Sequence, residues 1–366
     1  MPQPGARRAI AMAIGSAALF GASTPLAKLL LGDGVGPWLL AGLLYLGSGL
    51  GLALLHLARR ARHGAPAEAP LARRDLPWLA LVVAIGGVAG PVLLMVGLAR
   101  TPASSAALLL NLEGLATMAI AWLWFRENVD RRLLLGAFAI LAGALLLSWR
   151  AGPTGGIGIG GIGIGGIGIG GLAIAGACLA WGLDNNLTRK LSAADPVQIA
   201  MIKGGVAGAV NLGLALTKGA TLPTPSAIAA AGAIGFVGYG ISLVLFVLAL
   251  RHLGSARTGA YFSTAPFIGA LLAIGLFDEP LTGRLLGAAA LMGIGLYLHL
   301  AERHAHTHEH APLEHAHRHT HDAHHQHPHD PQHPPGEPHT HAHRHTTMAH
   351  SHPHYPDLHH RHGHAH

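Results

Sequence analysis

Apolar residues in this chain come in long blocks, broken by short polar or Gly/Pro-containing turns. Ten such blocks lie at about 9–31, 37–58, 76–99, 103–125, 132–149, 170–191, 196–216, 225–250, 256–277 and 282–300. A helix crosses the roughly 30 Å hydrocarbon layer with about 20 apolar residues, so each block predicts a transmembrane helix. The first block follows Met1–Arg8 as a secretion signal would. It has no convincing small-residue cleavage site and nine further blocks follow, so an uncleaved helix is expected. Beyond Leu300 the pattern ends. Residues 303–366 hold almost no aliphatics, and eight Pro fall between 312 and 356. Such a segment buries no core and predicts a disordered tail. The expected fold class is therefore an all-α polytopic membrane protein of ten transmembrane helices with a disordered cytoplasmic tail.

Composition agrees: 51% of the chain is hydrophobic and 11% is Asp, Glu, Lys or Arg, against about 25% charged residues in soluble domains. Cys178 stands alone, which excludes a disulfide framework and a thiolate cluster. The net charge of +7 divides unevenly, −3 from residue 304 onward with neutral His and +10 before it. The basic residues sit in short runs between apolar blocks, among them Arg7-Arg8, Arg59-Arg60, Arg73-Arg74, Arg131-Arg132 and Arg189-Lys190. With the N-terminus inside, fourteen Lys and Arg fall on inner segments and four (Arg100, Arg150, Lys218, Arg284) on outer loops. That bias predicts a cell inner-membrane protein with both termini cytoplasmic. A nucleic-acid partner is excluded, because the charge is not gathered on one face among aromatics. No nucleophile–base pair or metalloprotease motif lies within the blocks, so an enzyme is not expected.

The chain also repeats itself. Phe125-Arg-Glu-Asn-Val-Asp-Arg-Arg-Leu-Leu-Leu-Gly136 matches Phe277-Asp-Glu-Pro-Leu-Thr-Gly-Arg-Leu-Leu-Gly287, with Glu127/Arg132 and Glu279/Arg284 at one spacing. Phe20-Gly21 through Lys28 likewise matches Trp181-Gly182 through Arg189. Five spans per copy is an odd number, so the copies lie in opposite orientations. Inverted repeats give a carrier two mirror-related packings, one open to each side. Four units follow: a first five-helix repeat at 1–150, a Gly/Ile low-complexity segment at 151–171, a second five-helix repeat at 172–302 and the tail at 303–366.

With this layout, the stretches Gly86–Met95, Leu108–Gly114, Phe125–Asn128, Asp184–Lys190 and Asp278–Thr282 resemble, in that order, EamA-type members of the drug/metabolite transporter superfamily. The resemblance covers nearly all of 9–300. It implies a transporter, commonly an exporter of small metabolites, and names no substrate. Many relatives place an Arg near the start of the second helix, where this chain reads Leu43-Leu44-Tyr45. The resemblance therefore does not carry over an anionic substrate.

Ionisable side chains in mid-membrane are costly and face a cavity or a partner. Glu113 lies in the middle of the fourth block with Asn111 nearby, Asp184 in the sixth before Asn185 and Asn186, and Lys203 in the seventh. At i and i+2, Asn111 and Glu113 point to different faces. The candidate pathway is Glu113 as the proton-carrying group, with Asp184, Asn185, Lys203 and Asn111 around it. A carboxyl withdrawn from water favours its neutral form, which proton coupling needs, and a nearby ammonium opposes this. The competing reading is an ion pair, Glu113 with Lys203 or Asp184 with Arg189, that only docks helices. Lys28, His56 and His299 are expected to snorkel to the interface. Trp38, Trp78, Trp122, Trp124 and Trp149 lie near span ends, as interfacial anchors do; Trp181 lies deeper, able to face a substrate or simply to pack.

Residues 155–171 repeat Gly-Gly-Ile-Gly-Ile and satisfy GxGxxG at Gly156–Gly161. A dinucleotide fingerprint needs a βαβ context, which an outer loop between apolar helices does not supply. The tail holds 25 of the 29 histidines. Its first block, His304, His306, His308, His310, His315, His317, His319, His321, His324, His325, His327 and His329, is a candidate set for Zn, Ni or Co, since imidazole suits these ions. A pH-dependent anchor for anionic lipid and a dispensable extension remain open for it. The partners expected are a small-molecule substrate, the lipid bilayer and divalent metal on the tail; no cofactor is required, and a homodimer is compatible with such a bundle. Three functions stand at this point: a proton-coupled metabolite exporter, an exporter of Ni, Co or Zn fed by the tail, and a membrane-tethered metal store.

Overall fold

The computed structural model describes residues 4–63, 71–125, 131–148, 163–164, 167–188, 191, 194–300 and, in the tail, 305–310, 313–319, 339–345 and 348–353. The first half comprises α1 (Pro4–Gly32), α2 (Pro37–His63), α3 (Leu76–Val82), α4 (Gly90–Ala99), α5 (Ala103–Leu109), α6 (Asn111–Phe125) and α7 (Arg131–Ser148). The second comprises α8 (Ile169–Thr188), α9 (Pro196–Thr217), α10 (Pro225–Ile234), α11 (Ser242–Phe262), α12 (Ala265–Phe277) and α13 (Gly283–Leu300). Wider π-helical segments, Val83–Ala89 and Gly235–Ile241, join α3 to α4 and α10 to α11.

The body is an all-helical membrane fold. Among the described residues, seven helical stretches are long and apolar enough to cross a bilayer: Arg8–Gly32, Pro37–Ala61, Arg73–Ala99, Ala103–Trp124, Arg131–Ser148, Pro196–Thr217 and Pro225–Ala249. The sixth, ninth and tenth predicted blocks are also helical but stand outside that set. The sixth, α8, carries Asp184, Asn185 and Asn186 near its end. The ninth departs most from expectation. No loop separates 250 from 256; α11 runs on to Phe262, and the chain breaks instead at Ser263-Thr264 before the 13-residue α12. Pro266 in the first turn of α12 sets this break, since proline has no N–H to continue a helix arriving from before it. A matching break at Leu110 divides α5 from α6 in the first half.

The packing is close to symmetric under exchange of the halves. α2 packs on its counterpart α9 and α7 on α13. The contact of α4 with α8 is mirrored by that of α11 with α1, and α6 with α8 by α12 with α1. The two π-helical segments exchange likewise, Val83–Ala89 on α9 and Gly235–Ile241 on α2. Small residues permit the close crossings: Gly49 and Gly204 bring the α2 and α9 backbones together, and a Cβ on Gly204 would stand 2.6 Å from the Gly49 nitrogen. Apolar side chains on the outside, such as Leu134, Leu135 and Phe138 on α7, are exposed, as lipid contact requires.

Of the glycine array, 163–164 pairs with 167–168 before α8 begins; Gly156–Gly161 lie outside the described residues. In the tail, Ala305–His310 pairs antiparallel with Met348–Pro353, and Leu313–His319 with His339–His345. The side chains of the twelve candidate metal-ligating histidines, His304 through His329, lie outside the described residues.

Candidate functional site

A cavity sits where the halves meet, with about 680 Å³ of atom-free space counting its mouth. The charged and amide groups on its wall are Glu113 from α6, Asp184 and Asn185 from α8 and Lys203 from α9, with the hydroxyl residues Ser48, Ser242, Tyr45 and Tyr239 beside them. Four of the five residues singled out from the sequence thus share one site. Asn111 does not line it. Its amide donates to the Leu108 carbonyl at 2.8 Å, on the buried side of the Leu110 break, so it closes an orphaned helix end. Two positions from Glu113 along the chain, it points to the other face.

The break also positions Glu113. The Leu110 N–H reaches back only three residues, to Ala107 at 3.1 Å, and the Glu113 N–H to Leu110 at 3.0 Å. α5 therefore ends in a tightened turn and α6 starts afresh, with Glu113 in its first turn at the positive end of the helix dipole. Discontinuous helices of this kind build carrier sites because their free ends face a cavity. The Asn185 amide donates to the Glu113 carboxylate at 3.0 Å and to Thr117 at 3.3 Å.

Lys203 pairs with Asp184, both buried. Of the two ion pairs expected, Glu113–Lys203 is not formed, and Arg189 lies outside the described residues. α8 and α9 both pack on the π-helical segment Val83–Ala89, and beside it the ammonium reaches the α8 carboxylate rather than α6. Thr188 donates to the other Asp184 oxygen at 3.3 Å. Gly86 makes room for this pair, since a Cβ there would overlap the Asp184 carboxyl.

The first π-helical segment supplies further anchors. The Gly90 N–H bonds Ile85, five residues back. The Gly86 carbonyl would then need the N–H of residue 91, which is Pro. Trp181 Nε1 and the Tyr45 hydroxyl fill that vacancy at 2.9 and 3.1 Å, and Asn211 donates to the Gly87 carbonyl at 3.2 Å. A wide helical turn thereby fixes two aromatic rings on the cavity wall.

That wall is more aromatic than the sequence suggested. Phe20 packs against Trp181, Tyr239 and Phe262 at ring separations of 6.2, 5.7 and 5.4 Å, and Tyr45 against Tyr239 at 5.5 Å. Each ring alone reads as ordinary packing. The available signal was that Phe20 and Trp181 occupy equivalent places in the two repeats.

At one end of the bundle Glu279, following α12, reaches across to the first half. Its carboxylate accepts from the Ala103 N–H at 2.7 Å, the Ser104 N–H at 3.2 Å and the Ser104 hydroxyl, capping α5. Lys28 beside it does not snorkel outward. It donates to the Leu98 carbonyl and, at 2.9 Å, to Thr101, closing the end of α4. His299 is likewise engaged, with its Nε2 3.1 Å from the Leu133 carbonyl. Among the described residues no three His, Cys, Asp or Glu side chains gather as a metal site.

Comparison with known proteins follows the two halves. The model of the EamA-like transporter family matches residues 7–149 and 168–301. The chain is similar to an uncharacterized transporter of Methanothermobacter thermautotrophicus, 27% identical over 270 residues, which are 71% of this chain and 77% of that protein. It is also similar to a protein of known crystal structure, with a TM-score of 0.56 and 23% identity over 79% of this chain and 94% of the other. At that identity the likeness speaks for the fold alone.

Proposed function

The chain belongs to the EamA-like transporter family and is an integral membrane transporter, and from that premise we propose that it is a secondary active carrier exporting a small metabolite in exchange for protons. The pathway is the cavity between the halves, in the cell inner membrane with both termini cytoplasmic. One observation supports this best: Glu113 stands on the cavity wall with an amide as its described partner, beside an Asp184–Lys203 pair that is already neutral. A proton arriving at the cavity therefore changes its charge at Glu113. The cost of an uncompensated charge in a low-dielectric interior is large, so protonation and substrate occupancy are energetically linked. Rocking of one repeat against the other, which the exchange-symmetric packing favours, exposes that group to each side in turn.

The test is a panel of amino acids, amines and divalent metals presented to proteoliposomes with a pH dye inside. At least one member of the panel is expected to drive proton movement through the wild-type chain and none through Glu113→Gln. Undiminished proton movement through that variant removes Glu113 from the coupling. For the tail we propose binding of Zn, Ni or Co by its histidines, separate from the pathway. Deleting 303–366 is then expected to leave transport intact in metal-free buffer while abolishing equilibrium Zn binding.

A further inference from the structure

Resting on the carrier reading, we propose that the cavity takes a monovalent organic cation, an ammonium carried on an aromatic or otherwise apolar body. The first ground is charge. The described ionisable groups on the wall that carry charge are Glu113, Asp184 and Lys203. Asp184 and Lys203 cancel, so an ionised Glu113 leaves one net negative charge on the cavity wall. A single positive charge on the ligand removes it. A carboxylate ligand would double it, with Lys203 already engaged.

The second ground is the aromatic part of the lining. Phe20, Trp181, Tyr239, Phe246 and Phe262 all line the cavity, and Phe246 meets Phe262 at 4.8 Å. Ring faces attract cations, ammonium groups included, and the same surface buries an apolar body. For a divalent metal the cavity is the poorer fit: among the described residues no three His, Cys, Asp or Glu side chains gather on it.

The third ground is a vacancy in hydrogen bonding. The Tyr239 hydroxyl lies near Ser23 yet makes no hydrogen bond among the described residues, and the side chain is 8% exposed. A buried hydroxyl without a partner is costly. A phenol oxygen accepts from an ammonium N–H, so a bound amine would satisfy it while its charge faces Glu113. The titratable groups around Glu113 are Asp184 and Cys178 on α8, Lys203 on α9 and Tyr45 on α2. Proton and ammonium then compete for the same carboxylate, and acidification weakens binding of the amine.

The experiment uses the purified full chain in detergent and binding of radiolabelled phenethylamine by scintillation proximity. Unlabelled phenylacetate, phenylalanine and further primary amines serve as competitors. Saturable binding of phenethylamine is expected, displaced by other amines and not by phenylacetate, and weaker at acid pH. Glu113→Gln is expected to lose affinity by tenfold or more, the scale of a lost charge-assisted hydrogen bond, and Tyr239→Phe several-fold, with both variants eluting and melting as folded protein. Phenylacetate or phenylalanine binding more tightly than the amine, no binding of any amine, or wild-type affinity in Glu113→Gln each overturns the proposal. Counterflow in proteoliposomes separates the two layers. Amine binding without counterflow refutes the carrier and keeps the ligand class, whereas counterflow of an anion refutes the class and keeps the carrier.

Discussion

Replacing Lys203 by Met tests whether the Asp184–Lys203 pair ties α8 to α9 at the cavity wall. Both side chains are buried, Lys203 10% and Asp184 5% exposed, so Met leaves a carboxylate with no cation and little water. Breaking a buried pair by removing one partner costs about 3–5 kcal/mol. An escape exists, because Asp184 can take up a proton. From an ordinary carboxyl value near 3.9, neutralisation at pH 7 costs about 4 kcal/mol and falls by about 1.4 kcal/mol for each pH unit of acidification. The expected destabilisation of Lys203→Met is therefore about 3–4 kcal/mol at pH 7 and about 2 kcal/mol near pH 5.5. Asp184→Asn leaves instead an ammonium, which acid does not neutralise, so its penalty does not shrink. The double variant Asp184→Leu with Lys203→Met leaves no buried charge and is expected within about 1 kcal/mol of wild type or above it. Unfolding in mixed SDS–detergent micelles at the two pH values reads all four proteins. Equal stability of Lys203→Met and wild type at pH 7, or a double variant no better than the single ones, would refute the pairing as a structural element.

Other consequences follow from the same geometry. Gly86→Ala places a methyl group where the Asp184 carboxyl lies and is expected to cost about 1–3 kcal/mol by overpacking, read by the same micelle titration. Trp181→Phe leaves Tyr45 as a donor to the Gly86 carbonyl and should cost little beyond packing, about 1 kcal/mol. Adding Tyr45→Phe orphans that carbonyl, so the double variant should lose more than the sum of the two, as a double-mutant cycle would show. Glu279→Gln weakens the cap on α5 by about 1 kcal/mol; amide hydrogen exchange at Ala103 and Ser104 is expected to speed up, with the rest of the bundle unchanged.

The polar members of the site were legible because charge is conspicuous inside apolar blocks: Glu113, Asp184 and Lys203 each interrupt a stretch that otherwise buries itself in lipid. Their pairing was not. Whether Lys203 meets Asp184 or Glu113 depends on how α8 and α9 both lie against the π-helical segment Val83–Ala89, a relation between segments that no spacing within any one of them encodes. Asn111 misled for a related reason: in sequence it looks like a wall residue, and only the Leu110 break shows it serving a backbone carbonyl. The aromatic wall was hidden because Phe20, Tyr45 and Tyr239 come from three separated helices and each alone is unremarkable in a core. The ninth block was misplaced by ending the eighth at 250 and starting the ninth at 256, whereas the stop that matters lies at Ser263-Thr264, ahead of Pro266. Lys28 had backbone carbonyls within reach that a hydropathy profile cannot display.

A cavity that opens to each side in turn is tested most directly by a single reactive thiol on its wall. Leu243 lines the cavity and is half-buried, so Leu243→Cys in a Cys178→Ala background is the probe, in oriented vesicles treated with a membrane-impermeant thiol reagent from one side or the other. Labelling from both sides, each suppressed by phenethylamine, is the expected result. Labelling from one side only, at every pH and with or without amine, would contradict a shared pathway between the two halves.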